Sequence, residues 1–355
     1  MAVNLPVAAF GERDWERDIE ADPVRIGIIG AGWWTRTEAL PAFEDCTYCR
    51  PTVVADISQD NVRKATAGTD RIGLESDAFR SGAEQDQYDA VYIATPNAVH
   101  PTDTAAAAAL GKPILCEKPM AATIEGAERM VESVEAADVP LMVAYRVQTD
   151  PVTRRAKDLI QAGAIGDIIH VHGQMSDPLF EFIADPEQWR LDPEVSGGGT
   201  MSDIAVYPLN TTRFVLEADP EAVHASVESE HEAFADVDEH AAFLIEFPGA
   251  TTAVCSVSHN AHQSSYLTFH GSAGRLTLEN PFFPWDPRRL RLEAAGLTTT
   301  FEPDPVNQLV EEFDYFGNCI QRGVDPYPDG RHGLVDVKTV QALYASADRG
   351  ERQRC

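Results

Sequence analysis

The chain has 355 residues, 44% of them hydrophobic, and its 57 acidic against 28 basic residues give a formal net charge of −29. That length suggests two domains, and the apolar fraction is enough for real cores, so the acidity does not signal disorder. Nucleic-acid binding rests on clustered Lys and Arg and is disfavoured, and no stretch approaches the ~20 apolar residues a membrane helix needs.

Only five residues are Lys (Lys64, Lys112, Lys118, Lys157, Lys338). An acidic, Lys-poor chain that still builds cores suits molar salt, where the Debye length is only ~3 Å and self-repulsion is screened. A halophilic, cytoplasmic protein is expected. The first 23 residues are charged (Glu12, Arg13, Asp14, Glu16, Arg17, Asp18) and unlike a secretory signal; they are expected to form an N-terminal arm. Six Cys are scattered. Cys46 and Cys49 form a single CxxC with no partner pair, so reduced structural thiols are expected.

In chain order, Arg25–Gly30 reads as a buried parallel strand, followed by Val53–Asp56, Ala90–Thr95, Pro113–Cys116 and Leu141–Tyr145. Between them, Thr102–Leu110 is Ala-rich and closes at Gly111, a helix C-cap signal. Ile124–Ala137 carries apolar residues at helical spacing. Alternating βα units with apolar strands indicate a doubly wound parallel sheet, an α/β Rossmann domain over 24–147. After about residue 147 the pattern changes. Val152–Ala162 reads as a helix and Ile168–Met175 as a strand. Strands are then expected at Val223–Glu230, Ala241–Phe247, Thr251–His259, Ser265–His270, Arg275–Leu278 and Leu290–Glu293, punctuated by Gly, Pro and Asn as in an antiparallel sheet. Helices over Pro305–Arg322 and Gly333–Ala347 close the chain. An α+β domain over 148–355 is therefore expected after the Rossmann domain.

Gly30-Ala31-Gly32-Trp33-Trp34-Thr35 follows the first strand and precedes a helix, the context a dinucleotide fingerprint requires. The first Gly permits the tight turn and the second lets backbone approach a pyrophosphate. Thr35 stands where a third Gly is usual. Asp56, 24 residues after Gly32, ends the second strand, where a carboxylate accepts bonds from ribose hydroxyls and favours NAD. Ser58, Arg63, Lys64 and Arg36 lie near enough in sequence to receive a 2′-phosphate. Thr95 ends the third strand, at the sheet end where ligands bind, and is a candidate cofactor contact; Asn97 and His100, just beyond it, are candidate nicotinamide-ribose contacts. The fourth strand runs into Glu117-Lys118-Pro119, which offers a fixed positive charge beside the cofactor. Arg146, after the fifth strand, and Arg154 are candidate contacts to cofactor or substrate.

With Glu117-Lys118-Pro119 and the stretch Gly197-Gly198-Gly199-Thr200-Met201-Ser202-Asp203-Ile204-Ala205-Val206-Tyr207-Pro208, the chain from about residue 24 resembles the glucose–fructose oxidoreductase/inositol dehydrogenase (Gfo/Idh/MocA) family. The resemblance implies a Rossmann domain followed by a large, open, mostly antiparallel sheet. It implies catalytic roles for Lys118, Asp203 and Tyr207, and cofactor contacts from Gly30, Gly32, Trp33, Trp34, Thr35, Glu117 and Lys118. Gly32-Trp33-Trp34-Thr35, Leu115–Met120, Gln188-Trp189-Arg190-Leu191-Asp192 and Tyr207-Pro208-Leu209-Asn210-Thr211 resemble a haloarchaeal sugar-oxidising branch. That branch implies oxidation of a cyclic pentose, D-xylose, at C1 with NADP. Asp56 departs from the small residues usual there, so NAD stays open as the alternative cofactor.

A tyrosine is a poor base near neutral pH, and an adjacent ammonium favours its phenolate. Lys118 is expected to assist Tyr207 in this way while Asp203 orients Lys118 or the sugar; the spacing of four places Asp203 and Tyr207 on one face of a helix. Trp189 is a candidate for stacking on the sugar. His170 with His172, and His259 with His262, are pairs lacking the further ligands of a zinc site, so no metal is expected. A homo-oligomer, dimer or tetramer, is expected through an apolar open face of the second sheet. Another aldose, polyol or dihydrodiol as substrate, or a nucleotide-sensing regulator without catalysis, remain open.

Overall fold

The computed structural model describes residues 12–355, and they cluster into two compact units. The first comprises Trp15–Arg146 and Asn307–Val337; the second comprises, of the described residues, 12–14, Val147–Val306 and Lys338–Cys355. This division differs from the three consecutive segments expected. The chain returns to the first unit because the helix Gln308–Arg322 buries Leu309, Val310, Phe313 and Phe316 in the core that the early strands build. Phe313 stacks on Phe43 at 3.9 Å between ring centroids. Of the expected arm, residues 1–11 lie outside the described residues. Trp15 packs edge-on against Tyr315, and the Tyr48 hydroxyl donates to Glu16.

In the first unit, six parallel strands are ordered β3-β2-β1-β4-β5-β6. They are β1 (Val24–Ile29), β2 (Cys49–Asp56), β3 (Ile72–Glu75), β4 (Ala90–Ile93), β5 (Ile114–Glu117) and β6 (Leu141–Ala144). Strands β4, β5 and β6 are buried along their whole length, as in a sheet covered on both faces. The order reverses between β1 and β4, which opens a crevice beyond their C-terminal ends. β3 is not among the expected strands: it is four residues long, contains Gly73 and alternates half-buried with exposed positions.

The second unit is built on a nine-stranded sheet. Its strands are β7 (Ile168–Pro178), β8 (Ala222–Glu228), β9 (His240–Phe247), β10 (Thr251–Ser258), β11 (Asn260–Gly271), β12 (Gly274–Glu279), β13 (Arg289–Ala294), β14 (Leu297–Phe301) and β15 (Gln353–Arg354). Their order is β14-β13-β12-β11-β7-β10-β9-β8-β15. β7 and β10 pair in parallel, and the other neighbours pair antiparallel. One face is buried by Val171, Ala253, Cys255, Val257, Leu267 and Phe269. The helix Val206–Leu216 approaches this face: a Cβ on Gly173 would lie 3.0 Å from Cβ of Pro208. Only glycine lets the residue after Tyr207 sit that close to β7.

The opposite face is not the apolar surface expected. It presents His170, His172, His270, Thr252 and Ser256 beside the exposed Val254 and Tyr266. Among the described residues, no helix is long and apolar enough to cross a membrane. The six cysteines are free thiols. Cys46 and Cys49 do not act as a pair: Cys46 Sγ donates to the carbonyl of Ala42 and Cys49 Sγ to that of Phe313.

Candidate active site

The glycine turn closes β1 and is shaped by its neighbours. Gly30 has φ +99°, and a Cβ there would lie 2.5 Å from the carbonyl carbon of Ala94 at the end of β4. Glycine is therefore demanded twice, by conformation and by contact. A Cβ on Gly32 would meet nothing within 4 Å, so the backbone here faces a space another molecule can enter. A helical stretch begins at Trp33, includes a π-helical turn over Thr35–Ala39 and continues as Leu40–Glu44. Its first N–H groups and positive dipole end suit an anion. Thr35, fully buried, donates its hydroxyl to the Gly30 carbonyl at 2.6 Å and so braces the turn from within. Trp33 is half-buried.

Asp56 is turned toward the protein. One carboxylate oxygen accepts from the Ala31 N–H at 2.6 Å; the other accepts from the Ser58 N–H at 2.7 Å and from the Asn61 amide at 3.2 Å. It is 8% exposed. These bonds make Asp56 a clamp that ties the end of β2 to the glycine turn. Arg36 lies beside it, donating to the Ala31 carbonyl and to Asn61 Oδ1 at 2.6 Å.

His100 is also structural. It is fully buried, with Nε2 2.7 Å from the Thr95 carbonyl and Nδ1 3.1 Å from that of Pro119. Burial holds its pKa below the ordinary histidine value, though the carbonyls of Thr95 and Met120 and the charges of Asp103 and Glu117 oppose the shift. It ties the loop after β4 to the loop after β5. Thr95 donates to Asp103 at 2.7 Å, and Asn97 is buried.

Glu117 anchors the end of β5. Its Oε1 accepts from the Tyr92 hydroxyl at 2.6 Å and from the Trp34 indole at 3.1 Å. The Arg146 guanidinium lies 5.5 Å from the Trp34 ring centre, and Lys118 follows, half-buried. Glu312, buried in the helix Gln308–Arg322, is not among the site residues expected from the sequence. Burial and then the Glu117 charge push its pKa well up, with Arg146 opposing. The available signal is a carboxylate between Val310 and Phe313, at core positions of an amphipathic helix.

In the second unit, Asp203 ends the short helix Thr200–Asp203 and Tyr207 opens the helix Val206–Leu216. They do not share the continuous helical face expected. The Thr200 carbonyl accepts from both Ile204 and Ala205, which interrupts the regular ladder, while Ile204 at φ −117° and ψ −17° caps the first segment. Tyr207 is buried, its ring 5.8 Å from that of Phe282. The triple glycine before Asp203 is cradled by Asp238, which accepts from the Gly199 N–H at 2.9 Å and the Met201 N–H at 2.6 Å. The Tyr344 hydroxyl donates to the same carboxylate at 2.6 Å, and a Cβ on Gly198 would lie 2.1 Å from that hydroxyl.

Asp203 Oδ2 lies 3.3 Å from Arg190 Nε and 3.4 Å from His259 Nε2. Arg190 also covers Trp189, 4.6 Å from the ring centre, so half-buried Trp189 already has a cation on one face. Arg154 pairs with Asp14 at 2.5 Å and donates to the Gln148 carbonyl, an ion pair of the second unit with the chain's early residues. His259 and His262 part company: the first is buried and the second exposed.

A parallel βα sheet with an anion-ready turn at its switch point, followed by an Asp/Tyr-bearing helical segment over a large open sheet, is the design of a two-domain dinucleotide-dependent oxidoreductase. Residues 24–145 match the oxidoreductase family model with an NAD-binding Rossmann fold, and residues 153–277 match the GFO/IDH/MocA C-terminal domain. The chain belongs to the Gfo/Idh/MocA family. It is 46% identical over 352 residues to the NADP(+) D-xylose 1-dehydrogenase of Haloarcula marismortui, covering 98% of each chain. It is 28% identical to D-xylose 1-dehydrogenase (NADP(+)) 2 of Haloferax volcanii, covering 92% of this chain and 98% of that one. Among solved structures, the aldose-aldose oxidoreductase of Caulobacter crescentus superimposes with a TM-score of 0.87 at 26% identity, over 94% of this chain and all of the other.

Proposed function

We propose that this protein is a sugar dehydrogenase that oxidises D-xylose at C1 to the xylonolactone with NADP. The single observation that carries the substrate is the 46% identity, across 98% of both chains, to an enzyme that bears that activity in its name. The fit of a dinucleotide rests on the chain's own geometry: the open side of Gly32, the helix start behind it, and the crevice between β1 and β4. The choice of NADP is supported by Asp56, whose oxygens are engaged by backbone and Asn61, and by Arg36 beside it.

When bound, the cofactor accepts the hydride that leaves C1. Gly30, Gly32 and the N–H groups from Trp33 onward bind its phosphates. Arg36, with Ser58, Arg63 and Lys64, receives the 2′-phosphate. Thr95, Asn97 and Glu117 line the approach to the nicotinamide, and Arg146 backs Trp34. Tyr207 takes the proton of the C1 hydroxyl through its phenolic oxygen. Lys118 favours the phenolate and Asp203 orients the sugar or the ammonium.

The acidic surface suits a protein kept in molar salt inside the cell, and we read it as halophilic and cytoplasmic. A homo-oligomer through the face bearing Val254 and Tyr266 completes the proposal. The first measurement is initial rates of NADPH and NADH formation in about molar KCl, over D-xylose, L-arabinose, D-ribose, D-glucose and myo-inositol. A kcat/KM lead for D-xylose with NADP is expected. A lead for a hexose overturns the substrate, and a lead for NAD overturns the reading of Asp56 and Arg36. Cofactor binding without turnover on any sugar turns the protein into a sensor.

A further inference from the structure

His259 follows β10 and is 3% exposed. A histidine that deep in the second unit is ordinarily neutral, yet here it stands between two carboxylates. Nδ1 is 2.6 Å from Asp177 Oδ1, near the end of β7, and Nε2 is 3.4 Å from Asp203 Oδ2. Arg190 reaches that same Oδ2 from the turn Trp189–Leu191, at 3.3 Å. The sequence of charges is carboxylate, imidazolium, carboxylate, guanidinium. On the neighbouring strand, the Glu239 carbonyl accepts from the His259 N–H, while the Glu239 carboxylate accepts from Asn260 and lies 3.5 Å from His240.

Nδ1–H donates to Asp177 whether or not the ring is charged, but Nε2 makes no hydrogen bond, and its 3.4 Å contact with Asp203 attracts only when the imidazole is protonated. A neutral ring would leave one of its nitrogens as a lone-pair acceptor facing a carboxylate. Burial opposes the charge, but Asp177 and then Asp203 override it and lift the pKa to about 9. A folded-state value above the unfolded one means that the imidazolium's contribution is complete below the ordinary histidine range and is lost as pH rises through about 9. The two cations meet Asp203 on Oδ2, so they fix the direction in which Oδ1 points. The 2.6 Å bond to Asp177 fixes the ring in turn.

We propose that His259, held by Asp177, is a positioning residue for the reaction: an imidazolium that keeps Asp203 ionised and aimed, without touching substrate. This rests on the reading of Asp203 as part of the catalytic group. His259 performs no proton transfer to the sugar; it acts through Asp203 as a fixed cation.

The test uses the full chain with NADP and D-xylose in molar-range KCl, comparing Asp203→Asn, His259→Gln and Asp177→Asn with the unaltered protein. All three are expected to lower kcat by about 10-fold or more, the scale of a hydrogen bond to a charged group, with NADP affinity unchanged. His259→Gln on top of Asp203→Asn adds no further loss, since the two act as one unit. Asp177→Asn moves the alkaline fall of kcat, expected near pH 9 from the His259 value, to lower pH. Nitrogen NMR of the histidine ring in the unaltered protein is independent of turnover and of whether a variant folds; a protonated His259 at pH 8, below its expected midpoint of about 9, is required. A neutral ring overturns the inference. A slow Asp203→Asn beside fully active His259→Gln and Asp177→Asn also overturns it and leaves the catalytic reading of Asp203 standing. A fully active Asp203→Asn defeats the catalytic reading itself, and the positioning role with it.

Discussion

Asp56 and Asp203 each lie beside a glycine-rich turn, one in each unit, and the protein holds them by different means. Asp56 accepts short bonds from two backbone N–H groups and a side-chain amide, at 2.6 to 3.2 Å. Asp203 is met by two charged side chains, at 3.3 and 3.4 Å. Hydrogen bonds fade steeply with distance and angle, whereas ion attraction varies only inversely with distance. The backbone donors therefore lock Asp56 into the fold, as part of the turn it clamps. The cations around Asp203 keep it charged and directed with gentler geometric demands. Short, neutral donors suit a carboxylate used to build; on the proposed catalytic reading of Asp203, longer, cationic partners suit one kept for chemistry.

The contrast breaks most visibly in rate. Tyr207→Phe is expected to lower kcat by ~10²- to 10⁴-fold, the usual range for a lost acid–base group, and Asp203→Asn to follow it in kind. Thermal midpoint and cofactor affinity should hardly move, and a steady-state series with NADP titrations checks this. An Asp203→Asn protein that melts early but turns over normally would place Asp203 with Asp56 among the structural carboxylates.

Asp56→Ala should do the reverse. It leaves the Ala31 and Ser58 N–H groups without their acceptor, at about 2–3 kcal/mol of stability. Urea or thermal unfolding reads this loss, while kcat at saturating cofactor stays within about three-fold, well under the ~1.4 kcal/mol that a tenfold change represents. Preference for NADP over NAD should persist. A selective loss of NAD turnover with stability intact would make Asp56 the ribose reader after all.

Much of this contrast is legible in the sequence, but unevenly. The glycine turn, β1, β2 and the Glu117-Lys118 strand end can be read because buried parallel strands give unbroken apolar runs. Asp203 and Tyr207 can be read as members of a family pattern. Their separation into two helical segments cannot, since it turns on the Thr200 carbonyl accepting two N–H groups, which no periodicity encodes. For Asp56 the sequence shows a carboxylate at a strand end but not which donors of the chain reach it. The roles of His259, Asp177 and Asp238 as partners are invisible: His259 meets a carboxylate 82 positions away, and Asp238 cradles N–H groups 37 and 39 positions away. β3 and β15 escape because four and two residues carry too little pattern to register.

Arg36 sharpens the cofactor side of the comparison with a smaller effect. Its guanidinium is tied to Asn61, which also donates to Asp56. If the clamp presents this arginine to a 2′-phosphate, Arg36→Ala should raise KM for NADP by about 10-fold, the scale of one charge-assisted bond. KM for NAD should change little. Equal increases for both cofactors would mean that Arg36 only supports the turn.

The smallest expected effect concerns the exposed sheet face, where charge again decides between building and use. His172 lies 6.5 Å from His170 and 5.0 Å from His270, ring centre to ring centre. Burial, followed by His172, Arg275 and His170, holds the His270 pKa below the ordinary value. If two copies meet through this face, each proton taken up there adds a positive charge opposite its own symmetry mate. Association should therefore weaken as pH falls below the ordinary histidine value of about 6.5, where His270, held low, takes up its proton. In molar KCl, with a Debye length of ~3 Å, the shift should be slight; at lower salt it should grow. Light scattering across pH reads the mass directly. Val254→Asp should dissociate the assembly at every pH, because it puts a carboxylate in place of one of the face's few exposed apolar side chains. A protein whose mass ignores both pH and Val254→Asp does not use this face to associate.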